Sequence, residues 1–245
     1  MSTATDRDEA QPRLAVFLGQ PLSGSPGLGG KASQLHELLR AGFPVPKAFC
    51  LTTDAFAAFL DETGLGKRLG ALDPKQRESF GTAREMVRSA TMPAALASAI
   101  GAAYEQLGAP VVAVRSSAVG EDSASHSFAG QHDTVLNVRG REAVEAAVLE
   151  CWASLFSDRA WAYRRGVDGD GLARLRMAVV VQELVPAESA GVIFTTDPVD
   201  SKPDRLILEA CWGLGEGLVA GRVTTDSFVI DVRDHRIVER QPALF

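Results

Sequence analysis

The sequence predicts an α+β protein, in which a helix-rich part of the chain is followed by a sheet-rich part. Up to residue 165 most apolar residues recur at helical spacing, around one pair of strands at 111–138. From residue 176 onwards the apolar residues fall in short runs typical of strands. Helices and strands therefore do not alternate as in a parallel βαβ sheet. Within this class we expect a disordered tail at 1–12, an N-terminal lobe portion with a helical segment at 13–110, and a core portion at 111–245.

Composition narrows the classes of function. The chain has 245 residues, of which 25 are basic and 31 acidic, and it carries a net charge of -6 without a long basic run. Nucleic acid is therefore not an expected partner. The most apolar stretch, 177–185, is too short to span a bilayer, so no membrane association is expected. Three widely separated cysteines and the lack of a secretion signal favour a cytoplasmic location.

A glycine-rich loop near the N-terminus predicts a phosphate site. A short strand at 14–18 leads into GQPLSGSPGLGGKASQLHELLRAG, a loop that opens a helix ended by Gly42 and Pro44. Lys31 lies at the start of this helix. Free N–H groups and the positive end of the helix dipole attract phosphate there.

Two named motifs compete for this loop. A P-loop fails, because Ser25 and Ala32 occupy places that need glycine and a hydroxyl residue. The dinucleotide pattern G-x-G-x-x-A matches Gly27, Gly29 and Ala32, with Asp54 at a suitable distance. However, Asp54 also fits the first turn of a helix capped by the preceding threonines. A purely structural use of the glycines stays open.

Five further helices are predicted from apolar periodicity and from cap signals. They cover 53–62, 74–90, 93–108, 142–156 and 158–165. Their apolar faces, including Trp152 and Trp161, are interpreted as core.

The stretch VVAVRSSAVGEDSASHSFAGQHDTVLNVR at 111–139 carries the strongest chemical signal. A β-branched strand delivers Arg115 at its end, a Gly/Ser/acidic loop follows, and a second strand runs from Thr134 to Val138. A guanidinium fork beside a glycine loop suits a polyanion. An arginine in an ordinary salt bridge next to a surface loop is the competing interpretation.

The sheet-rich part contains strands at 176–185, 190–195 and 205–210, and a hairpin at 228–232 and 236–238. The glycines of WGLGEGLVAG, after the third of these strands, predict a second loop at which backbone can approach a ligand.

Taken in order, seven motifs resemble a known family. They are Gly29-Gly30-Lys31, PVPKAFCLTTDAF, VAVRSSAVGED, SFAGQHDTVLNVRG, CWASLFSDRAWAYR, VVVQELVPAESAGVIFTTDP and GLGEGLVAG. The set resembles the N-terminal nucleotide-binding domain of phosphoenolpyruvate synthase, pyruvate phosphate dikinase and rifampin phosphotransferase.

The resemblance implies an ATP-grasp-like fold, in which two lobes with mixed or antiparallel sheets clamp ATP. It assigns ATP phosphates to Lys31 and Arg115, and a covering loop to Gly130 to Thr134. It places Gln182 near the base, with Glu183 to Val185 alongside. ATP and Mg²⁺ are the implied cofactors.

The same resemblance implies a phosphotransferase that is incomplete in this chain. The family's acidic magnesium ligand, Q-x-R-P strand and carrier histidine do not appear before Phe245, so the last strands of the fold are expected to be missing. The phosphohistidine and acceptor domains would then lie on a separate chain, and pyruvate or a drug hydroxyl would take the phosphoryl group. His132 could assist charge neutralisation or be a polar loop residue. The alternative function is a non-catalytic nucleotide-binding or interaction module.

Overall fold

A computed structural model describes residues 13–22, 24, 27–118, 122–123, 126–127, 134–164, 171–196 and 204–243. The chain divides into two compact units, Met1–Leu184 and Val185–Phe245. The boundary between two lobes that the sequence analysis placed between residues 110 and 111 stays a prediction. The first compact unit continues past that boundary and includes the strand that ends at Glu183.

The first unit is built on a five-stranded antiparallel sheet in the order β1-β2-β7-β3-β6. Its strands are β1 (Ala15–Phe17), β2 (Ala48–Leu51), β3 (Val112–Ala118), β6 (Thr134–Val138) and β7 (Met177–Glu183), and a separate two-stranded pair is formed by β4 (Asp122–Ser123) and β5 (His126–Ser127). The central strands read as nearly continuous apolar runs because both of their faces are covered.

One helix covers one face of this sheet. Helix α1 (Gly29–Arg40) packs on it through a small apolar cluster. The buried members are Val16, Leu18, Leu28, Ala32, Ala48, Cys50, Ala178 and Val180. Burial raises the pKa of the Cys50 thiol far above its usual range, so the thiol stays protonated and acts as a small apolar residue.

A helical layer covers the opposite face and holds the main core. It comprises α2 (Thr53–Glu62), α3 (Leu65–Gly70), α4 (Arg77–Arg88), α5 (Ala94–Gln106), α6 (Arg141–Ala153) and α7 (Asp158–Arg164), with 3₁₀ turns at Ser154–Phe156 and Leu172–Arg174. Trp152 is fully buried there, and its ring centroid lies 5.2 Å from that of Phe56 and 4.9 Å from that of Phe59. The interpretation of Trp152 as a core residue is confirmed.

The second unit is a four-stranded antiparallel sheet in the order β11-β10-β9-β8. Its elements are β8 (Ser189–Phe194), β9 (Arg205–Trp212), a short helix α8 (Glu216–Val219), β10 (Asp226–Asp231) and β11 (Ile237–Gln241). None of its described residues is buried.

The structure confirms an α+β fold with antiparallel sheets. It therefore overturns the dinucleotide-fold alternative, because β1 pairs antiparallel with β2 and a Rossmann domain needs parallel strands. Asp54 lies in the first turn of α2, where the Thr52 hydroxyl caps the Ala55 amide at 3.4 Å.

Several short elements were not predicted, among them β2, α3, α8, the two-residue strands β4 and β5 and the 3₁₀ turn at Leu172–Arg174. Strand β2 follows a proline pair that obscured it, and α3 and α8 have six and four residues, too few for a helical period to show. Among the described residues, no helix combines the length and apolar character that crossing a membrane requires.

Candidate functional site

The sheet face covered by α1 brings together three of the predicted site residues. In the antiparallel register Arg115 on β3 is opposite Thr134 on β6 and Val180 on β7, and opposite residues project from the same face. Gln182 lies two residues after Val180 and therefore shares that face. Accordingly, the Arg115 Nη1 donates a long hydrogen bond of 3.4 Å to the Gln182 Oε1.

The hydrogen bond that the structure describes for Arg115 goes to a neutral side chain. Arg115 is half-buried, and the acceptor is the amide of Gln182. No ion pair links it to a carboxylate within the described parts of the chain. The alternative of a salt-bridged structural arginine thus finds no support among those residues.

Helix α1 carries Lys31 on the same face of the sheet. Its third residue is Lys31, which is half-buried, and the next residue, Ala32, is fully buried in the α1 cluster. The residue before the helix, Leu28, supplies no side-chain cap. Instead, the Ser117 hydroxyl of β3 accepts a hydrogen bond of 3.0 Å from the Ala32 N–H. The arginine strand and the lysine helix therefore meet directly.

Glycine is required at the point where the start of α1 lies against β3. Gly29 has φ +72°, a conformation that side chains disfavour, and a Cβ there would overlap the Ser117 carbonyl. The glycine thus allows the backbone of α1 to lie against the backbone of β3.

Gln182 is held on two sides. It is only 8% exposed, and its Nε2 donates a hydrogen bond of 3.2 Å to the Pro46 carbonyl. Because an amide has two donors and two lone pairs, one N–H and one lone pair remain after the bonds to Arg115 and Pro46. The side chain can therefore orient Arg115 and still bond to a ligand.

Glu183 and Val185 differ from Gln182 in their surroundings. Glu183 is exposed and lies opposite Val112, so its side chain projects from the other face of the sheet. The amides of Glu183 and Leu184 donate to the carbonyls of Lys47 and Val111, each at 2.9 Å. Val185 is 54% exposed and begins the second unit.

Two predicted residues of the covering loop, Gly130 and His132, lie outside the described residues. Thr134, the last residue of that loop, is exposed at the start of β6. Within the described ranges, no group of three or more His, Cys, Asp or Glu side chains could hold a metal ion.

The structure adds Ser117, to which the sequence interpretation gave no role. The R-S-S motif could have indicated this residue. Ser117 comes two places after Arg115, and residues two places apart on a strand project from the same face.

Comparison with known proteins gives a family match over most of the chain. The family described as "Pyruvate phosphate dikinase, AMP/ATP-binding domain" matches residues 25–243.

Individual relatives agree with that match. The chain is 46% identical over 232 residues to the prodigiosin synthesizing transferase PigC of Serratia marcescens, covering 94% of this chain and 25% of the relative. It is 42% identical over 229 residues to a probable phosphoenolpyruvate synthase of Methanocaldococcus jannaschii, covering 88% of this chain and 19% of the relative. For the phosphoenolpyruvate synthase of Aeropyrum pernix the identity is also 42%, covering 87% and 28% respectively. The chain thus spans between a fifth and somewhat more than a quarter of the length of these relatives.

Proposed function

Because the chain belongs to the pyruvate phosphate dikinase AMP/ATP-binding domain family, we propose that it binds ATP on the sheet face that α1 covers. The observation that carries the proposal is the meeting of two cationic segments on that face. Arg115 projects from the end of β3, and the helix start that carries Lys31 is hydrogen-bonded to the same strand at Ser117.

The triphosphate is the part of ATP that this arrangement suits best. Lys31 supplies a compact positive charge at a helix N-terminus, and Arg115 supplies a planar fork of donors. Phosphoryl transfer needs little covalent help from the protein, because catalysis rests on positioning and charge neutralisation. Both cations are therefore assigned to the ATP phosphates.

The rest of the nucleotide follows from this placement. We assign the base end of ATP to Gln182, with Glu183 and Val185 alongside, and the cover over the phosphates to the loop from Gly130 to Thr134. In this proposal the domain is ATP-grasp-like, with the nucleotide held against antiparallel strands.

Magnesium would enter with the nucleotide. The described residues offer no three-ligand cluster, and Mg²⁺ commonly combines one or two carboxylates with substrate phosphates. When bound, the ion would neutralise phosphate charge and so support Lys31 and Arg115.

The complete reaction is proposed to use partners outside this chain. ATP would give its phosphoryl group to a carrier histidine on a further domain or a separate chain, and the histidine would pass it to an acceptor. Some relatives are named phosphoenolpyruvate synthases and one is named a prodigiosin synthesizing transferase, so the acceptor can be pyruvate or another group such as a drug hydroxyl.

Calorimetric titration with ATP, with and without Mg²⁺, tests the proposal. We expect Lys31→Ala and Arg115→Ala each to weaken binding by about tenfold to a hundredfold, because each removes a charge-assisted hydrogen bond to phosphate. Lys67→Ala and Arg68→Ala, two exposed residues of α3 in the helical layer, are the matched controls and should leave the affinity unchanged.

Two results would count against ATP binding at this site, and a third would count against phosphoryl transfer. Absence of ATP binding by the unmodified chain would exclude it. If the ATP affinity were the same in Lys31→Ala, Arg115→Ala and the unmodified chain, the nucleotide would bind at a different site. Affinity that is independent of Mg²⁺ would favour a nucleotide-binding module without phosphoryl transfer.

A further inference from the structure

The Ser117 hydroxyl joins two chain segments that are distant in sequence. It is fully buried, accepts a hydrogen bond of 3.0 Å from the Ala32 N–H, and donates one of 2.9 Å to the Leu28 carbonyl. A serine hydroxyl has one donor and two acceptor positions, so its only proton is committed to Leu28. One side chain of β3 therefore holds the backbone on both sides of the start of α1.

The surroundings of this hydroxyl leave it little freedom. Gly29 lies so close to the Ser117 backbone that a Cβ would overlap it, and Ala32 is fully buried. The Cys50 thiol also approaches the Leu28 carbonyl, with Sγ 3.8 Å from the oxygen. Because Ser117 and Ala32 are both fully buried, the loss of Ser117 Oγ would leave the Ala32 N–H without this partner.

The two predicted phosphate-binding cations lie next to this junction. Lys31 immediately precedes Ala32, and Arg115 is two residues before Ser117 on the same strand face. The Ser117 hydroxyl therefore links the strand that carries Arg115 to the helix start that carries Lys31. A shift of the helix start relative to β3 would change the spacing of the two charges.

We propose that Ser117 is a positioning residue that fixes the Lys31 helix start against the Arg115 strand, so that both cations reach one polyphosphate. This inference rests on the proposed function, since it assumes that Lys31 and Arg115 share the triphosphate. In this proposal Ser117 makes no contact of its own with the nucleotide. It acts through the Ala32 amide and the Leu28 carbonyl.

The first test compares two buried serines. Ser117→Ala should weaken ATP binding, measured by calorimetry, by about fivefold to thirtyfold, because a helix start that is no longer held against β3 must be ordered when the phosphates bind. Ser154→Ala is the matched control, because Ser154 is also fully buried and its hydroxyl donates to the Cys151 carbonyl at 2.7 Å in the helical layer. Thermal unfolding of both variants shows that each is folded at the titration temperature. Equal ATP affinities of the two variants would overturn the inference.

The second test separates positioning from general support of the fold. If Ser117 acts through Lys31, Ser117→Ala should cost clearly less affinity in a Lys31→Ala background than in the unmodified chain. A double variant whose loss equals the product of the two single losses would contradict the inference. Where Ser117→Ala does not fold, Ser117→Cys replaces it, since a thiol is a weaker donor and should give an intermediate loss.

The outcomes also distinguish this inference from the proposed function. If the unmodified chain binds no ATP, the proposed function fails and the inference fails with it. If the chain binds ATP and needs Lys31 and Arg115, but Ser117→Ala binds as tightly as Ser154→Ala, only the inference on Ser117 fails.

Discussion

The two sheets of this chain differ in how they are stabilised. In the first unit all four residues of β2 are buried. Six of the seven residues are buried in β3, and six of seven in β7. In the second unit no described residue of β8 to β11 is buried, although β9 reads RLILEACW. Apolar strands thus form a packed core in the first unit, whereas the strands of the second unit are half-exposed (β9 and β10) or mostly exposed (β8 and β11).

This difference bears on the candidate site. Arg115, Lys31 and Ser117 belong to the first unit, where buried neighbours hold their backbones. Local opening costs most free energy where buried apolar contacts are dense. The residues proposed to bind phosphate therefore belong to the more densely buried unit.

The largest expected effect comes from removing one aromatic ring in each unit. Trp152→Ala should lower the free energy of unfolding of the first unit by about 3–5 kcal/mol, because it leaves a cavity beside Phe56 and Phe59. Phe228→Ala should cost the second unit only about 1 kcal/mol, since the half-exposed ring lies between its cross-strand neighbours Leu208 and Arg240.

Hydrogen exchange measured separately at β7 and β9 amides reports on each unit. Phe43→Ala, at a position 58% exposed, is the control for Trp152→Ala and should change stability by less than about 0.5 kcal/mol. If Trp152→Ala accelerated exchange at β9 as much as at β7, the two units would unfold together. That result would contradict a difference in stability between them.

An intermediate effect is expected from two glycines with nearly the same positive φ angle. Gly29 has φ +72° and Gly213 has φ +80°, so alanine is strained at both positions. A Cβ on Gly29 overlaps the Ser117 carbonyl, whereas one on Gly213 meets nothing within 4 Å. Gly29→Ala should therefore cost about 2–5 kcal/mol and Gly213→Ala about 1–2 kcal/mol. Chemical denaturation followed by hydrogen exchange measures both, and equal losses would contradict the packing difference.

The smallest effect concerns an exposed ion pair that joins α4 to α7 in the first unit. Arg77 donates two hydrogen bonds to Asp158, at 2.9 and 2.6 Å, and this contact lowers the pKa of the Asp158 carboxyl. A carboxyl whose pKa is lowered in the folded state adds stability above its ordinary value of 3.8 and loses that contribution as the pH falls through the folded value.

Asp158→Asn should therefore slightly destabilise the first unit at neutral pH, and the difference from the unmodified chain should shrink as the pH falls below 3.8. The effect is small because both side chains are exposed. Urea unfolding between neutral and acid pH, with exchange at β9 as an internal control, measures it. A difference that stayed constant with pH would show that the ion pair contributes nothing.

The sequence predicted most elements of this fold but not their contacts. The α2 and β6 bounds agree with the prediction, because Thr52 is a strong cap signal and Thr134 to Val138 carries the apolar residues of a strand after a glycine-rich loop. The predicted helix over 74–90 is shorter, Arg77–Arg88, since residues 74–76 form a turn before it. The dinucleotide alternative was wrong because a glycine pattern reports on one turn and carries no information on whether the next strand is parallel.

The sequence by itself identified the two residues proposed to bind phosphate: a lysine at a helix start behind glycines and an arginine at the end of an apolar strand. Only the tertiary structure decided that these two segments meet. Ala32 and Ser117 are 85 residues apart, and periodicity reports only on neighbours within a few positions. Their contact depends on the sheet order β1-β2-β7-β3-β6, which places β3 under the start of α1. That order pairs strands that are far apart in the sequence, so it is a property of the folded chain as a whole.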